Sequence, residues 1–267
     1  MVKHTASEND AYAPPLIAAR VENSGVGKAN LGFLQTFVLA VLAGAFISFG
    51  AMFYTVVVTE SGLGFGPQRL LGGIAFSLGL ILVVVGGAEL FTGNNLIVMA
   101  WASGKVKGRL LMRNWAIVFV GNFVGAFASA LITYEAGVMW MGDGAVATTA
   151  INIAVAKVQI PFVEAFLRGI LCNALVCLAI WLCFAAHTVS GKILAIIFPI
   201  SAFVTLGFEH SIANLYFIPM GYLLGAPEVT LASTIGNLVP VTLGNIVGGG
   251  GCVALIYWAV YLRKPNN

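Results

Sequence analysis

Two ionisable residues, Glu209 and His210, stand side by side within a long apolar stretch of the sequence. They belong to the segment G-F-E-H-S-I-A-N, residues 207–214, and mostly apolar residues surround it from 193 to 224. An ionisable group at the centre of a bilayer is costly, so it is retained mainly in a protein-lined cavity or beside a partner. Because about 20 helical residues already cross the hydrocarbon, this stretch is too long for one simple span. It predicts a helix broken at Gly207 inside a membrane.

The first half of the chain contains a related segment, G-A-E-L-F-T-G-N, residues 87–94, again inside an overlong apolar run. The two segments share the pattern G-x-E-x-x-x-x-N. The matched positions in the two halves are Gly87 and Gly207, Glu89 and Glu209, Asn94 and Asn214, Gly121-Asn122-Phe123-Val124-Gly125 and Gly244-Asn245-Ile246-Val247-Gly248, and Leu42-Ala43-Gly44 and Leu167-Arg168-Gly169. Their common order indicates an internal duplication. Corresponding breaks in two halves of a membrane protein point to a transport site.

The composition excludes an ordinary soluble domain, since 60% of residues are hydrophobic, 9% are charged and the mean hydropathy is +0.97. Six apolar stretches are long enough to span a bilayer. They cover residues 31–58, 70–101, 115–134, 162–186, 193–224 and 235–262. The sequence therefore predicts an all-α integral membrane protein with six transmembrane helices in two inverted three-helix repeats, with helices 2 and 5 broken.

The distribution of basic residues predicts the orientation. With six spans, one side would carry Lys3, Arg20, Lys28, Lys105, Lys107, Arg109, Arg113, Lys192, Arg263 and Lys264, and the other side only Arg69, Lys157 and Arg168. By the positive-inside rule both termini are cytoplasmic. Each half then has an odd number of spans, so the two halves are inverted relative to each other.

The predicted organisation has a tail, a membrane domain and a short C-terminus. Residues 1–30 form a polar cytoplasmic tail in which 16–26 would make a short amphipathic helix. The channel domain is 31–262, with one repeat at about 31–135 and the other at about 160–262, and 263–267 are the cytoplasmic C-terminus. No cleavable signal is expected, because the first thirty residues are polar.

A broken helix exposes unpaired backbone donors and acceptors at the break, and the exposed N-terminal end attracts anions. In inverted halves the two breaks face each other near the bilayer midplane. We expect Glu89 and Glu209 to be structural, each accepting N–H groups of its own loop. His210 is expected to be functional, because the matching position in the other half is Leu90, so duplication alone does not account for it. Thr92 offers a hydroxyl group from the opposite loop.

Other candidates surround these loops. Asn173 and Asn245 are amides on the fourth and sixth spans, for which helix–helix hydrogen bonding and pore lining both stay open. Apolar side chains would form constrictions on both sides of the histidine: Phe76, Leu80, Leu90, Phe91 and Phe203. The four cysteines, all in apolar spans, are expected to be small buried residues: Cys172, Cys177, Cys183 and Cys252. No metal site, cofactor or nucleic-acid partner is expected.

Two other function classes, an ammonium channel and an intramembrane enzyme, are alternatives to transport of an anion. An ammonium channel also places histidine in an apolar pore, but it normally has a pair of histidines and more spans. An intramembrane enzyme needs a nucleophile with a base, or a metal cluster. His210 followed by Ser211 makes no recognisable hydrolase motif. We therefore expect a transporter or channel and no enzyme activity.

Three motifs resemble the signatures of the formate/nitrite transporter family: G-G-A-E-L-F-T-G-N-N, G-F-E-H-S-I-A-N-L-Y-F-I-P-M-G and P-V-T-L-G-N-I-V-G-G-G. The resemblance covers essentially the whole chain after the tail. It implies an aquaporin-like protomer in a homopentamer with one pore per subunit, in the cytoplasmic membrane of a bacterium. It also implies that His210 and Thr92 form the central pair, that the five apolar residues line the constrictions, that Asn173 and Asn245 lie on the pore, and that Lys157 is a vestibule lysine.

The resemblance also bears on the substrate. Members of the family carry formate, nitrite, hydrosulfide or lactate. The runs F-I-P-M-G and F-S-L-G-L-I-L resemble bacterial formate channels, whereas the end of the first break, G-N-N, resembles nitrite-type members. Formate is the first choice, and the other three anions are the alternatives. A proton from His210 is expected to convert the anion to its neutral acid, which crosses the apolar constrictions at lower cost.

Overall fold

A computed structural model describes residues 11–263. The start of the predicted tail and the end of the predicted C-terminus, with Lys3 and Lys264, lie outside the described residues. Residues 11–263 contain helices and no strand. The helices are α1 Pro14–Ala29, α2 Phe33–Val58, α3 Phe65–Gly86, a 3-10 helix Gly93–Ile97, α4 Val98–Ala102, α5 Gly108–Glu135, a 3-10 turn Val138–Trp140, α6 Ala145–Val158, α7 Phe162–Ala185, α8 Val189–Thr205, α9 Ser211–Leu223, α10 Leu231–Ile246, a π-helix Val247–Leu255 and α11 Ile256–Tyr261.

Five helical segments are long and apolar enough to cross a membrane: Phe33–Val58, Phe65–Gly86, Gly108–Glu135, Phe162–Ala185 and Leu231–Tyr261. Large apolar side chains remain exposed on the outside of these segments, Leu171 and Val239 among them. Such a surface suits lipid, whose interior offers no hydrogen-bond partners. The predicted stretch 193–224 is occupied by two shorter helices, α8 and α9.

Both G-x-E-x-x-x-x-N segments interrupt the helical backbone. α3 ends at Gly86, and Gly87 adopts a left-handed conformation with φ of +81°. α8 ends at Thr205, and Gly207 has φ of +71°. A residue with a Cβ rarely adopts this conformation, which is why glycine commonly ends helices in this way. The chain resumes as the 3-10 helix in the first case and as α9 in the second.

Glycines let the long helices cross at backbone distance. A Cβ atom on Gly125 of α5 would lie 2.0 Å from the Val41 carbonyl oxygen of α2. In the other half, a Cβ atom on Gly244 of α10 would lie 2.2 Å from the Phe166 carbonyl oxygen of α7. Membrane helices commonly associate through small residues in this way. The same crossing thus occurs once in each half of the chain.

Two shorter helices support the interruptions. α1 packs against the 3-10 helix Gly93–Ile97 and buries Ile17, Val21 and Gly25. α6 packs in the same way against α9. The predicted amphipathic stretch 16–26 therefore lies within a helix that is partly buried against the membrane domain.

A pair of alanine substitutions in α10 tests the close crossing. We expect Gly244→Ala to lower the thermal stability of the purified protein, because forcing atoms into a packed contact costs about 1–3 kcal/mol. Gly236→Ala in the same helix meets nothing within 4 Å, so it should leave the melting temperature unchanged or raise it. Thermal unfolding in detergent, followed by tryptophan fluorescence, measures both. Equal melting temperatures for the two variants would contradict the close crossing.

Candidate functional site

The two interrupted segments meet at a single side-chain contact. His210 Nε2 lies 3.0 Å from the hydroxyl oxygen of Thr92, and both side chains are buried. His210 is the residue that precedes α9, and Thr92 precedes the 3-10 helix Gly93–Ile97. The residues that sequence analysis selected from the two loops are therefore in direct contact.

The protonation of the His210 ring follows from its second hydrogen bond. The backbone N–H of Ala213 donates to His210 Nδ1 at 3.1 Å, so the imidazole caps the start of α9. A backbone N–H can only donate, so Nδ1 carries no proton in this arrangement. The neutral ring then carries its proton on Nε2, and this N–H donates a hydrogen bond to the hydroxyl oxygen of Thr92. The Thr92 hydroxyl hydrogen is left to donate to another group.

The predicted constriction residues are all buried, but they do not lie together. Phe76 and Phe203 meet edge to face with ring centroids 5.6 Å apart, and Phe203 lies alongside His210 at 5.9 Å. Phe91 packs instead against Phe119 of α5 at 5.1 Å. Leu80 is a buried residue of α3 and belongs to the hydrophobic core of the protein. Phe76 and Phe203 thus form an apolar pair beside His210.

A cavity lies on each side of the central contact. The Lys157 vestibule has a volume of about 200 Å³, and its lining includes Arg69, Phe76, Lys157, Arg168, Phe203, Gly207, Glu209 and His210. The Lys28 vestibule has a volume of about 310 Å³, and its lining includes Lys28, Val83, Gly87, Glu89, Leu90, Asn94 and Phe184. Of the five predicted constriction residues, Phe76 and Phe203 face the first cavity and Leu90 faces the second.

Each glutamate pairs with a lysine from a short helix. Glu89 Oε1 lies 2.5 Å from Lys28 Nζ of α1, and Glu209 Oε1 lies 2.8 Å from Lys157 Nζ of α6. The resemblance implies that Lys157 is a vestibule lysine, and in the structure only 15% of its side chain is exposed. The short helix carries it to the carboxylate, so it is half of an ion pair and not a free surface charge.

The prediction that Glu89 and Glu209 accept hydrogen bonds from N–H groups of their own loops is wrong. The second carboxylate oxygen of Glu89 accepts from the amide of Asn94 at 2.6 Å, and that of Glu209 accepts from Asn214 at 2.7 Å. The loop N–H groups are bonded elsewhere: Phe91 N donates to the side chain of Asn122 at 2.9 Å. The carboxylates therefore bind side chains, while their loop-supporting role stays a prediction.

Three residues of this network, Lys28, Asn114 and Asn237, were not predicted as site residues from the sequence. Asn94 donates to Asn114 at 3.0 Å, and Asn214 donates to Asn237 at 2.7 Å. Asn114 and Asn237 in turn donate to the backbone carbonyls of Lys28 and Lys157. A signal for the two asparagines was present, because each precedes the first glycine of its matched G-N-x-V-G run by seven residues. Lys28 was counted only as a topogenic charge.

The side chain of Asn245 makes hydrogen bonds to three backbone groups. Its carbonyl oxygen accepts from Ser211 N at 2.9 Å, and its amide donates to the carbonyls of Gly169 at 2.8 Å and Glu209 at 3.0 Å. Asn122 makes the equivalent three bonds to the first loop. Of the two alternatives left open for Asn245, the hydrogen bonds are those of a residue that ties the loop to neighbouring helices.

Asn173 connects the two halves. Its amide lies within hydrogen-bonding distance of the Thr92 carbonyl at 3.2 Å, the Asn95 side chain at 3.2 Å and the Asn245 carbonyl at 2.7 Å. Gly249 of the π-helix closes over this amide, and a Cβ atom there would lie 2.4 Å from it. Asn173 therefore fixes the backbone that carries Thr92.

The family model "Formate/nitrite transporter" matches residues 15–259. The formate channel FocA of Escherichia coli strain K12 is 42% identical over 277 residues, covering 97% of each chain. The probable formate transporter of Methanothermobacter thermautotrophicus is 42% identical over 255 residues, covering 89% of this chain and 92% of its own.

Two solved structures have the same fold over most of their length. One, described as a pentameric formate channel with formate bound, aligns with a TM-score of 0.81 at 40% identity, covering 86% of this chain and 98% of its own. The other, described as an FNT family ion channel, aligns with a TM-score of 0.84 at 29% identity, covering 91% and 98%. The named relatives are channels and transporters, and none is an enzyme.

Removing the Asn245 amide tests the backbone role. We expect Asn245→Ala to lower the free energy of unfolding by several kcal/mol, because three buried backbone groups lose their partner at about 1–3 kcal/mol each. Asn152→Ala, an exposed position of α6, is the matched control and should have little effect. Chemical unfolding in detergent compares the two. An Asn245→Ala variant as stable as the control would contradict the assignment.

Proposed function

The chain belongs to the formate/nitrite transporter family, and from this premise we propose that it conducts formate between its two vestibules past the Thr92–His210 contact. The observation that carries the proposal is this buried 3.0 Å contact, which separates two cavities that each hold a lysine–glutamate pair. The relatives named as formate channels support formate as the anion. Nitrite, hydrosulfide and lactate are the alternatives.

We propose that the two interrupted segments complete a six-span, aquaporin-like protomer. α3 with α4 would form the second span, and α8 with α9 the fifth. The matching lysine, glutamate and asparagine contacts in the two halves support an inverted repeat. By analogy with the solved pentameric relative, the protomer would assemble as a homopentamer with one path in each subunit. Lipid would surround the assembly in the cytoplasmic membrane of a bacterium, with both termini inside.

The lysines account for entry of an anion at either end. Lys28 and Lys157 each line a cavity and lie close to an interrupted segment. A cation in a partly water-filled cleft raises the local concentration of anions. The paired carboxylate keeps the net charge small, so an anion would be attracted without being held tightly. The two vestibules would therefore concentrate formate on both sides of the central barrier.

Formate would pass the apolar region between the two vestibules more easily as a neutral acid than as an anion. A bare carboxylate that leaves water for apolar surroundings loses several kcal/mol of solvation. Transfer of one proton from a protonated His210 to a carboxylate oxygen would leave two neutral groups, formic acid and imidazole. With Nδ1 unprotonated, the hydrogen bond from Ala213 N–H forms again. The Thr92 hydroxyl would donate to the substrate during this exchange, and the proton would be replaced from water.

A histidine variant tests the proton link. We expect wild-type proteoliposomes to take up formate together with protons. The His210→Asn variant should reduce the rate of this proton-linked uptake at least tenfold, which corresponds to an increase of about 1.4 kcal/mol or more in the activation free energy. Asparagine still accepts a hydrogen bond but cannot exchange a proton. His187→Asn makes the same change at an exposed residue and should have no effect. Internal pH and current are recorded together for formate, nitrite, hydrosulfide and lactate.

The outcomes separate the parts of the proposal. Formate current without proton uptake in His210→Asn would support the relay. Proton-linked formate uptake at the wild-type rate in that variant would refute the relay and leave His210 as a lining residue. Absence of formate flux in the wild type, with flux of another anion, would refute formate as the substrate.

Single-cysteine labelling tests the orientation. We expect Thr148→Cys to react with a membrane-impermeant maleimide added outside cells, and Lys107→Cys to react only after the membrane is opened, because the basic loops are predicted to be cytoplasmic. Both positions are exposed. The background carries Cys252→Ala, which removes the exposed native cysteine. The reverse labelling pattern would overturn the orientation.

A further inference from the structure

Two arginines converge on the bare backbone of Gly207 in the Lys157 vestibule. A Cβ atom on Gly207 would lie 2.8 Å from Arg69 Nη2 and 3.8 Å from Arg168 Nη1. Both arginines are among the residues that line the cavity. The absence of a side chain on Gly207 therefore lets two planar cations from different helices, α3 and α7, approach its backbone.

The arginines also bond the end of α8. Arg69 donates to the carbonyls of Thr205 at 2.8 Å and Val204 at 3.2 Å, and Arg168 donates to the carbonyl of Gly207 at 3.2 Å. A helix end has carbonyls that lack intrahelical partners, so capping alone would be one explanation of these contacts.

The other half of the chain argues against capping as the whole explanation. α3 ends in the same way, with Gly87 N and Ala88 N both donating to the carbonyl of Val83, and no arginine lines the Lys28 vestibule. In the matched sequences, Ala43 stands where the second half has Arg168. Val189 precedes Gly207 by as many residues as Arg69 precedes Gly87, so the second half has a valine where the first half has Arg69. The interruption thus forms without a guanidinium group.

The charge balance distinguishes the two vestibules. Lys157 pairs with Glu209, and Arg168 pairs with Glu164. Arg69 has no carboxylate partner among residues 11–263, and it uses only Nε and Nη2 in hydrogen bonds to protein. Arg69 is one of the residues that line the cavity, and its Nη1 makes no hydrogen bond to protein in this part of the chain. In the Lys28 vestibule the lysine and Glu89 balance each other, so only the Lys157 vestibule carries a surplus positive charge.

We propose that Arg69 and Arg168 form an anion subsite above Gly207 that holds a small carboxylate before it reaches Phe76 and Phe203. The planar fork of a guanidinium group matches the two oxygens of a carboxylate. The subsite lies only in the Lys157 vestibule, so it makes entry from that side effective at lower concentrations of formate than entry from the other side. This inference rests on the proposed function, since it concerns the same path.

Side-specific transport kinetics test the subsite. Formate flux is measured in spheroplasts and in inverted membrane vesicles, which present opposite faces of the protein to added substrate. Arg69→Gln, Arg168→Gln and the double variant should raise KM about threefold to tenfold at low ionic strength in one of the two preparations only, with less effect at high salt. Arg69→Lys, which keeps the charge without the fork, should fall between the wild type and Arg69→Gln.

Arg113→Gln is the matched control. Arg113 also donates to a backbone carbonyl, that of Leu31 at 3.2 Å, but it lines neither vestibule, so its KM should equal that of the wild type in both preparations. An unchanged KM in the double variant, or an equal increase in both preparations, would overturn the subsite and leave the proposed function intact.

A direct binding measurement covers the case in which the wild type does not conduct formate. Phenylglyoxal modifies guanidinium groups, and the modified peptides are quantified by mass spectrometry. Formate at millimolar concentration should slow modification of Arg69 and Arg168 severalfold without slowing that of Arg113. Protection without formate flux would support the subsite while refuting formate conduction, and equal modification with and without formate would overturn the subsite.

Discussion

The structure depends on one constraint: the backbone groups released by the two interruptions have to be bonded within the protein. Lipid offers them no partner. Asn122 and Asn245 meet this demand in the same way, since each amide accepts from one loop N–H and donates to a loop carbonyl and a helix carbonyl. These amides hold the loops at the helix crossings that glycines keep close. The position of Thr92 and His210 follows from those bonds.

The charged residues form a second layer around the same loops. Each lysine–glutamate pair is hydrogen-bonded to an asparagine near the start of the helix that follows the interruption, and that asparagine donates to another on α5 or α10. An isolated buried charge would be expensive, whereas a paired and hydrogen-bonded one is tolerated. The two pairs can therefore line the two vestibules close to the interrupted segments. In the proposed function, the same side chains would support the backbone and attract an anion.

The sequence predicted some of this arrangement and not the rest. The all-helical class and the family are confirmed, and the repeated G-x-E-x-x-x-x-N pattern located both interruptions; the count of six spans and the orientation stay predictions. The partners of Glu89 and Glu209 were predicted wrongly, because Lys28 and Glu89 are 61 residues apart and meet only in the folded protein. The capping role of His210 Nδ1 depends on backbone geometry that no spacing reveals.

The contact between Thr92 and His210 also requires the two halves of the chain to differ. At the matched positions the first half has Leu90 and Thr92, and the second half has His210 and Ile212. Two identical copies of the first half would meet without a histidine, and two copies of the second half would meet without the threonine. Neither half, paired with a copy of itself, would therefore make this contact. The central contact depends on the difference between the halves, and joining both halves in one chain guarantees that each protomer receives one threonine and one histidine at these positions.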